Sequence, residues 1–353
     1  MLKSRQKPDL INIIASPFVL AIPILLVILF FLPNPNHKYK LTLDKREPAN
    51  KENSATQFYD LDNDGNDERI TSFHNMAKSM AAIKVLTADG VNYEQWNMNG
   101  YYSIVLGSFS CQDLNKDGFT EIYAIYYRAD SVFLTGIQPY PNKEWIFKER
   151  FITKVWKRNN TIDYLTDFSD AADFNGDGID ELIFEIKAGF SRQPRSIYIF
   201  NPVNNEIISS PSVGAMIGQA LIADLNKDDI PEIYVGSSTP KNIPDTMPIL
   251  LHDESSWLMG YDQHLQWLFP PIENPFYPSG VEHIACITDQ NGDKYILWGI
   301  WNKEQNGDIL KVYNSKGEMI KSFPPIQNFH NQYLSATIYF KNKPYYLAGS
   351  DQS

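Results

Sequence analysis

The chain has 353 residues, of which 43% are hydrophobic and 21% charged, so its composition is that of a globular protein with one large domain or two small ones. Its 42 acidic and 31 basic side chains give a net charge of −11. No stripe of basic residues indicates a nucleic-acid partner, so we exclude that class of protein.

The first 32 residues differ in character from the rest. Three basic side chains among residues 1–9 precede a mostly apolar run of 23 residues at 10–32. That length spans a hydrocarbon core of ~30 Å at ~1.5 Å per residue. No small-residue cleavage site follows, which favours an uncleaved signal anchor over a cleaved signal peptide. We therefore predict a cytoplasmic N-terminus, a transmembrane helix at 10–32, a linker at 33–54, and an extracellular or periplasmic remainder.

Four acidic loops of pattern D-x-[DN]-x-D-[GD]-x-x-E begin at Asp60, Asp113, Asp173 and Asp224. Oxygens at positions 1, 3, 5, 7 (a backbone carbonyl) and 9 can surround one ion, and glycine at position 6 permits the required positive φ. Calcium takes six to eight such oxygens, so we predict about four calcium sites. The predicted ligands are Asp60, Asp62, Asp64, Asn66 and Glu68; Asp113, Asn115, Asp117, Phe119 and Glu121; Asp173, Asn175, Asp177, Ile179 and Glu181; and Asp224, Asn226, Asp228, Ile230 and Glu232.

Two other interpretations of these loops can be weighed. An EF-hand needs Glu at position 12 and flanking helices, but position 12 is Thr71, Ala124, Phe184 and Val235, and the flanks are β-like. Solvated acidic turns are the second interpretation. Four copies in register, each followed by a strand-like run, favour metal binding instead. The four loops hold thirteen ligand carboxylates, which more than accounts for the net charge, and four divalent ions would largely neutralise it.

The loops belong to a longer repeat. Their spacings are 53, 60 and 51 residues, and a β-branched or aromatic run and then a hairpin pattern follow. A fifth copy at Asp289 lacks both the glycine and the Glu, so we expect weak or no calcium binding there. A sixth copy at 336–347 has lost its acids but still predicts strand, turn and strand. Four strands per ~50–60 residues predict an all-β propeller of four-stranded blades over 55–353, with six repeats visible and six or seven blades.

On these loops and this period the chain resembles the FG-GAP/VCBS repeats of integrin-α-type β-propellers over 55–353. The resemblance implies that the calcium loops share one face, far from the ligand surface, and that the ions are structural rather than catalytic. The sequence departs from the family at Asp229, which replaces the glycine of position 6, and in the fifth and sixth copies.

No catalytic constellation is visible, so we predict that the chain is not an enzyme. Its six histidines lack zinc-ligand spacing, and it contains no nucleophile elbow and no phosphate-binding loop. Cys111 and Cys286 lie in different repeats and are expected to be separate buried thiols. The candidate residues for contacting an anionic or glycan partner are Lys187, Phe190, Arg192 and Arg195 after one predicted strand, with Phe276 and Tyr277 in a later loop.

The sequence therefore favours a membrane-anchored, calcium-stabilised propeller at the cell surface that recognises an extracellular protein or a glycan, as adhesion modules do. One alternative is the sensor ectodomain of a longer signalling receptor, because the last repeat lacks its outer hairpin. A further alternative is a propeller polysaccharide lyase or hydrolase, which would need a carboxylate or histidine cluster at the centre of the metal-free face.

Overall fold

The computed structural model describes residues 54–103, 107–159, 162–218, 220–275, 283–289, 291–302, 307–327, 333–340 and 343–349. The chain divides into Met1–Ala49 and Asn50–Ser353, and every described residue belongs to the second unit. The predicted anchor at 10–32 lies outside the described residues. Among the residues described, no helix combines the length and hydropathy that a membrane crossing needs.

The described chain is built from strands, which form six antiparallel sheets in chain order. Sheet 1 contains β1 (Ser54–Tyr59), β2 (Glu68–Asn75), β3 (Met80–Leu86) and β4 (Asn92–Met98). Sheet 2 contains β5 (Phe109–Gln112), β6 (Glu121–Arg128), β7 (Ser131–Gln138) and β8 (Glu144–Lys154). Sheet 3 contains β9 (Tyr164–Ala172), β10 (Glu181–Ala188), β11 (Arg195–Asn201) and β12 (Glu206–Ser209).

Sheet 4 contains β13 (Met216–Ile217), β14 (Leu221–Ala223), β15 (Glu232–Ser238), β16 (Ser256–Tyr261) and β17 (Ile272–Asn274). Sheet 5 contains β18 (His283–Thr288), β19 (Lys294–Asn302), β20 (Gly307–Tyr313) and β21 (Met319–Gln327). Sheet 6 contains β22 (Tyr333–Phe340) and β23 (Lys343–Gly349).

Each sheet is a meander in which neighbours along the chain pair side by side. In sheet 4 the first strand is split, because β13 pairs with the end of β15 and β14 with its beginning. The predicted strand–turn–strand of the sixth copy is confirmed as β22 and β23. The prediction of four-stranded antiparallel units is likewise confirmed in sheets 1, 2, 3 and 5.

The hydrophobic cores lie between consecutive sheets. One cluster joins sheets 1 and 2, the next sheets 2 and 3, then sheets 3 and 4, then sheets 4 and 5. Strand β10 is buried along its whole length because it is covered on both faces. This explains its unbroken sequence of large side chains. Apolar and polar residues alternate along a strand only when one face of that strand is exposed to solvent.

The first strands of the sheets contact one another in succession. Strand β5 contacts β9, β9 contacts β14, β14 contacts β18, and β18 contacts β22. Strand β8, the fourth strand of sheet 2, is by contrast largely exposed. Sheets 2 to 6 thus meet along their first strands. Every acidic loop joins the first strand of a sheet to its second, which places the loops at one end of the sheets.

Candidate functional site

Backbone hydrogen bonds to the first aspartate shape each acidic loop. In the second loop Asp113 accepts the N–H of Asp117 through Oδ1 (3.1 Å) and of Gly118 through Oδ2 (3.0 Å). The carboxylate of Asp117 in turn accepts the N–H of Phe119 at position 7 (2.8 Å). The predicted ligands at positions 1, 5 and 7 are therefore held together by the fold of the loop itself.

The glutamate at position 9 closes each loop. Its Oε2 accepts the backbone N–H of position 2 in all four copies, and the residue is buried each time. The donor–acceptor distances are 3.0 Å for Leu61 to Glu68, 3.1 Å for Leu114 to Glu121, 2.8 Å for Phe174 to Glu181 and 2.9 Å for Leu225 to Glu232. The Glu is the first residue of the second strand, so the turn is anchored to the sheet.

Two residues in each loop adopt positive φ, at positions 4 and 6. The φ values are 58° and 87° for Asn63 and Gly65, 58° and 89° for Lys116 and Gly118, 75° and 89° for Gly176 and Gly178, and 65° and 69° for Lys227 and Asp229. The sequence pattern predicted the turn at position 6 but not the one at position 4, where only one copy has glycine. Asp229 holds a conformation that most side chains avoid.

Three loops bring three carboxylates together. Ligand oxygens lie within 4.8 Å of one another in the groups Asp60, Asp62 and Glu68; Asp113, Asp117 and Glu121; and Asp224, Asp228 and Glu232. In the third loop Glu181 Oε1 instead accepts the side-chain N–H groups of Asn175 (2.5 Å) and Asn201 (2.9 Å). The third copy thus forms the same turn with its glutamate directed to two amides.

Two carboxylate oxygens in these loops fit a metal ion. Asp62 Oδ1 and Glu121 Oε1 are out of contact with solvent and have no hydrogen-bond donor among the described residues. A buried polar atom without a partner costs about 1–3 kcal/mol, more when charged. Burial, opposed by the Leu114 N–H and reinforced by Asp113 and Asp117, raises the pKa of Glu121 to about 7. A hard divalent cation in each of the two loops would satisfy the oxygen of that loop, and the cation beside Glu121 would oppose the rise in its pKa.

Neighbouring loops also contact one another. The Thr120 N–H donates to Leu61 O (3.0 Å), and the Asp180 N–H donates to Leu114 O (3.1 Å), so position 8 of one loop bonds position 2 of the loop before it. Lys116 Nζ lies 2.9 Å from Asp180 Oδ1. The first three loops therefore form a connected row.

The fifth copy forms a shorter turn. Asp289 Oδ1 accepts the N–H of Asn291 (2.8 Å) and of Asp293 (2.9 Å). Lys227 of the fourth loop places its ammonium 2.6 Å from Asp293 Oδ1, so a side-chain cation already lies beside this acid. Weak or no calcium binding at this copy stays a prediction.

At the opposite end of sheet 3, the residues predicted to contact a partner separate into two groups. Arg195 is fully buried, where it donates to Ala188 O (2.7 Å) and Asn242 Oδ1 (2.7 Å) and lies beside the buried Asp253. Lys187 is also buried and pairs with Asp167. The expectation that both contact a partner is corrected, since each neutralises a carboxylate within the fold. Phe190 is 65% exposed and Arg192 is partly exposed, whereas Phe276 and Tyr277 lie outside the described residues.

A polar cluster lies where the first strands meet. Glu185 is fully buried, and its Oε1 accepts the Ser169 hydroxyl and the Ala220 N–H (2.9 Å). Register pairs Glu185 with Asp167, whose carboxylate also contacts Lys187. A cavity of about 230 Å³ beside it is lined by Gln57, Gly107, Phe109, Ser110, Asp167 and Phe168. The only indication of this cluster in the sequence is the presence of charged residues inside strands that are otherwise apolar.

Comparisons with known proteins assign no family. No protein-family model matches the chain, and no curated protein is significantly similar to it. Among solved structures, a Bacillus licheniformis rhamnogalacturonan lyase is similar over 76% of this chain and 57% of its own, with 15% identity and a TM-score of 0.37. A chimera of ACO and RPE65 is similar over 76% and 60% respectively (9% identity, TM-score 0.39), and the Dos1 propeller over 73% and 67% (10% identity, TM-score 0.36). The chain thus spans about three fifths of the first of these structures.

Proposed function

We propose that this chain is a calcium-braced β-propeller of the FG-GAP/VCBS type, with six or seven blades, that recognises a partner through the end opposite its metal loops. Residues 10–32 anchor it in a membrane and the sheets lie outside the cytoplasm. The partner is an extracellular protein or a glycan. The supporting observation is that the two ends of sheets 2 and 3 differ. The acidic loops lie at one end, and exposed aromatic side chains lie at the other.

At one end, the acidic side chains of the loops are engaged in contacts within the fold. Their carboxylates accept backbone N–H groups of their own loops, and in three loops carboxylate oxygens lie within 4.8 Å of one another, as a calcium site needs. Ions held in this way brace the turns between strands. Among the described residues, the geometry identifies no substrate position beside them.

At the other end, apolar side chains face solvent. Trp156 and Phe190 are 54% and 65% exposed, in the loops that follow β8 and β10. Large exposed aromatic side chains gathered at one end of a scaffold are typical of recognition surfaces. This pair carries the proposal.

The proposal is tested by screening the full-length chain, in detergent, against arrays of glycans and peptides with calcium present. We expect a ligand whose binding falls in Phe190→Ala and Trp156→Ala. Val203→Ala is the matched control, because Val203 is 58% exposed at the end that carries the metal loops. Equal loss in the control, or no ligand that depends on the two aromatic residues, would contradict the assignment.

A second candidate function is catalysis at the polar cluster, because Asp167 lines a cavity and lies beside the buried Lys187 and Glu185. Burial raises the pKa of Glu185 to about 7, with Lys187 opposing the shift, in the range that suits a general acid or base. Turnover of a polysaccharide that is abolished in Asp167→Asn but kept in Asp130→Asn would establish this function. Absence of turnover across hydrolase and lyase assays leaves recognition as the better account.

A further inference from the structure

The second and third acidic loops carry the same ligand residues but arrange them differently. Both follow the pattern D-x-N-x-D-G-x-x-E, with Glu121 and Glu181 at position 9. In the second loop, oxygens of Asp113, Asp117 and Glu121 lie within 4.8 Å of one another, whereas the corresponding carboxylates of the third loop form no such group. Because the ligand residues are identical, the cause of the difference must lie outside the pattern.

The two glutamates differ in one oxygen. In both of them Oε2 accepts the backbone N–H of position 2. Glu121 Oε1 is out of contact with solvent and has no donor among the described residues, which leaves it for a cation. Glu181 Oε1 instead accepts the side-chain amides of Asn201 (2.9 Å) and Asn175 (2.5 Å). Two amide donors thus occupy the oxygen that a cation in the third loop would need.

The asparagine at position 3 does not explain this contact, because two other loops also have it. Asn115 Nδ2 donates to Asp117 Oδ2 (3.1 Å) in the second loop, and Asn226 Nδ2 donates to Asp228 Oδ2 (3.0 Å) in the fourth. In those loops the amide contacts position 5 rather than the glutamate. The residue peculiar to the third loop is therefore Asn201.

Strand register places Asn201 beside Glu181. Leu182 pairs with Phe200, so the first residue of β10 lies opposite the last residue of β11. The same register places Gln138 beside Glu121 in sheet 2, but the Gln138 amide is directed to Asp117 Oδ2, at 3.5 Å. The corresponding residues of sheets 1 and 4 are Thr87 and Asp262, and neither has an amide to donate.

The turn after β11 fixes the orientation of the Asn201 amide. Asn201 Oδ1 accepts the backbone N–H groups of Val203 (2.8 Å) and Asn204 (3.1 Å). Since the oxygen is used by the turn, the amide nitrogen is left on the side of Glu181. The nitrogen is therefore a preorganised donor to Glu181, and a bound cation must displace it.

We infer that the third loop is the weakest of the four calcium sites and that Asn201 lowers its affinity. Calcium binding there requires Glu181 Oε1 to exchange two amide donors for the ion, and the free energy of those hydrogen bonds opposes binding. The loop between β9 and β10 is then the first to lose its ion as the calcium concentration falls. This assignment rests on the proposed function, within which it separates one metal loop from the other three.

The test is calcium titration of the full-length chain in detergent, followed by native mass spectrometry and calorimetry. The native protein should bind three ions at least about tenfold more tightly than a fourth, as the loss of charge-assisted hydrogen bonds implies. Glu181→Gln should abolish this weak fourth step, whereas Glu121→Gln should remove one of the tight ions. Asn201→Ala should tighten the fourth step at least about tenfold.

Two further variants support the comparison. Asn204→Ala is the matched control, because Asn204 is exposed in the same turn and its side chain contacts Glu206 (3.4 Å) rather than Glu181. It should change the fourth step less than about twofold. Asn201→Asp keeps the oxygen that the turn uses and removes the amide donor, so it should tighten the fourth step even if Asn201→Ala does not fold.

The outcomes separate this assignment from the proposed function. Four ions of equal affinity, a weak step that survives Glu181→Gln, or a weak step that neither Asn201 variant tightens would each overturn it, while the calcium-braced propeller stands. If no calcium binds at any loop, the metal component of the proposed function fails together with it.

Discussion

At the scale of one residue, Glu185 illustrates what burial does to a carboxylate. It is fully buried on β10, accepts hydrogen bonds from Ser169 and Ala220, and its Oε2 has no donor among the described residues. Burial raises the pKa of Glu185 to about 7, while Lys187 lowers it and Asp167 raises it. The folded protein therefore binds a proton here that the unfolded chain releases at lower pH.

This linkage predicts the pH dependence of stability. Because the pKa is higher in the folded state than in the unfolded state, the free energy of unfolding falls as pH rises from about 4.5 to about 7. The loss is on the order of 3 kcal/mol at one buried site. Glu185→Gln should remove the share of this decline that comes from Glu185, measured by urea unfolding across that pH range, while Glu121, whose pKa burial also raises to about 7, keeps its own share. Glu144→Gln, an exposed position on β8, should leave the decline in place, and an unchanged slope in Glu185→Gln would refute the assignment.

At the scale of the element, the hydrogen bonds within each acidic loop form its turn, whether or not the loop binds a metal ion. Its carboxylates accept backbone N–H groups at positions 4 to 7, and its glutamate anchors position 2. This explains why the third loop keeps its turn although Glu181 is directed to two amides. It also explains why Asp229 is held at a φ of 69°, where two other loops have glycine at 89° and one at 87°.

Asp229→Gly should stabilise the protein by up to about 1 kcal/mol in the presence of chelator, because glycine adopts positive φ without the steric cost that a Cβ carries. The reciprocal control is Gly178→Ala in the third loop. A Cβ there has no atom within 4 Å, so any cost is conformational, and a loss of about 1–2 kcal/mol is expected. Denaturant unfolding of the two variants checks both signs, and a less stable Asp229→Gly would contradict this explanation.

At the scale of the whole molecule, the sequence predicted the features that recur in each repeat and missed the side-chain contacts that occur only once. The period of the acidic loops predicted the strands and their grouping in fours, because each copy imposes the same local hydrogen bonds. Arg195 and Lys187 were misassigned because their partners, Asp253 and Asp167, come from separate strands and loops and share no pattern with them. The Asp167–Lys187–Glu185 cluster was invisible for the same reason, since only the packing of first strands brings Asp167 beside a cavity lined by Gln57 and Ser110.

The row of loops predicts how calcium acts on the molecule. Thr120 and Asp180 bond each of the second and third loops to the one before it, whereas position 8 of the fourth loop is Pro231, which has no N–H to donate. Ions bound in this row would therefore stabilise the contacts between sheets as well as single turns. A ligand at 100 times its dissociation constant stabilises by about 2.7 kcal/mol per site if it binds the folded form alone.

Chelation should accordingly lower the melting temperature of the full-length chain by several degrees, and native mass spectrometry before chelation should detect bound calcium. Glu121→Gln should reduce both the shift and the number of ions, because it weakens the ligand set in which Glu121 Oε1 has no other partner. Asp245→Asn, at an exposed position outside the loops, should behave as the native protein does. The same melting curve with and without chelator, or calcium stoichiometry unchanged by Glu121→Gln, would show that these turns are held by their hydrogen bonds alone.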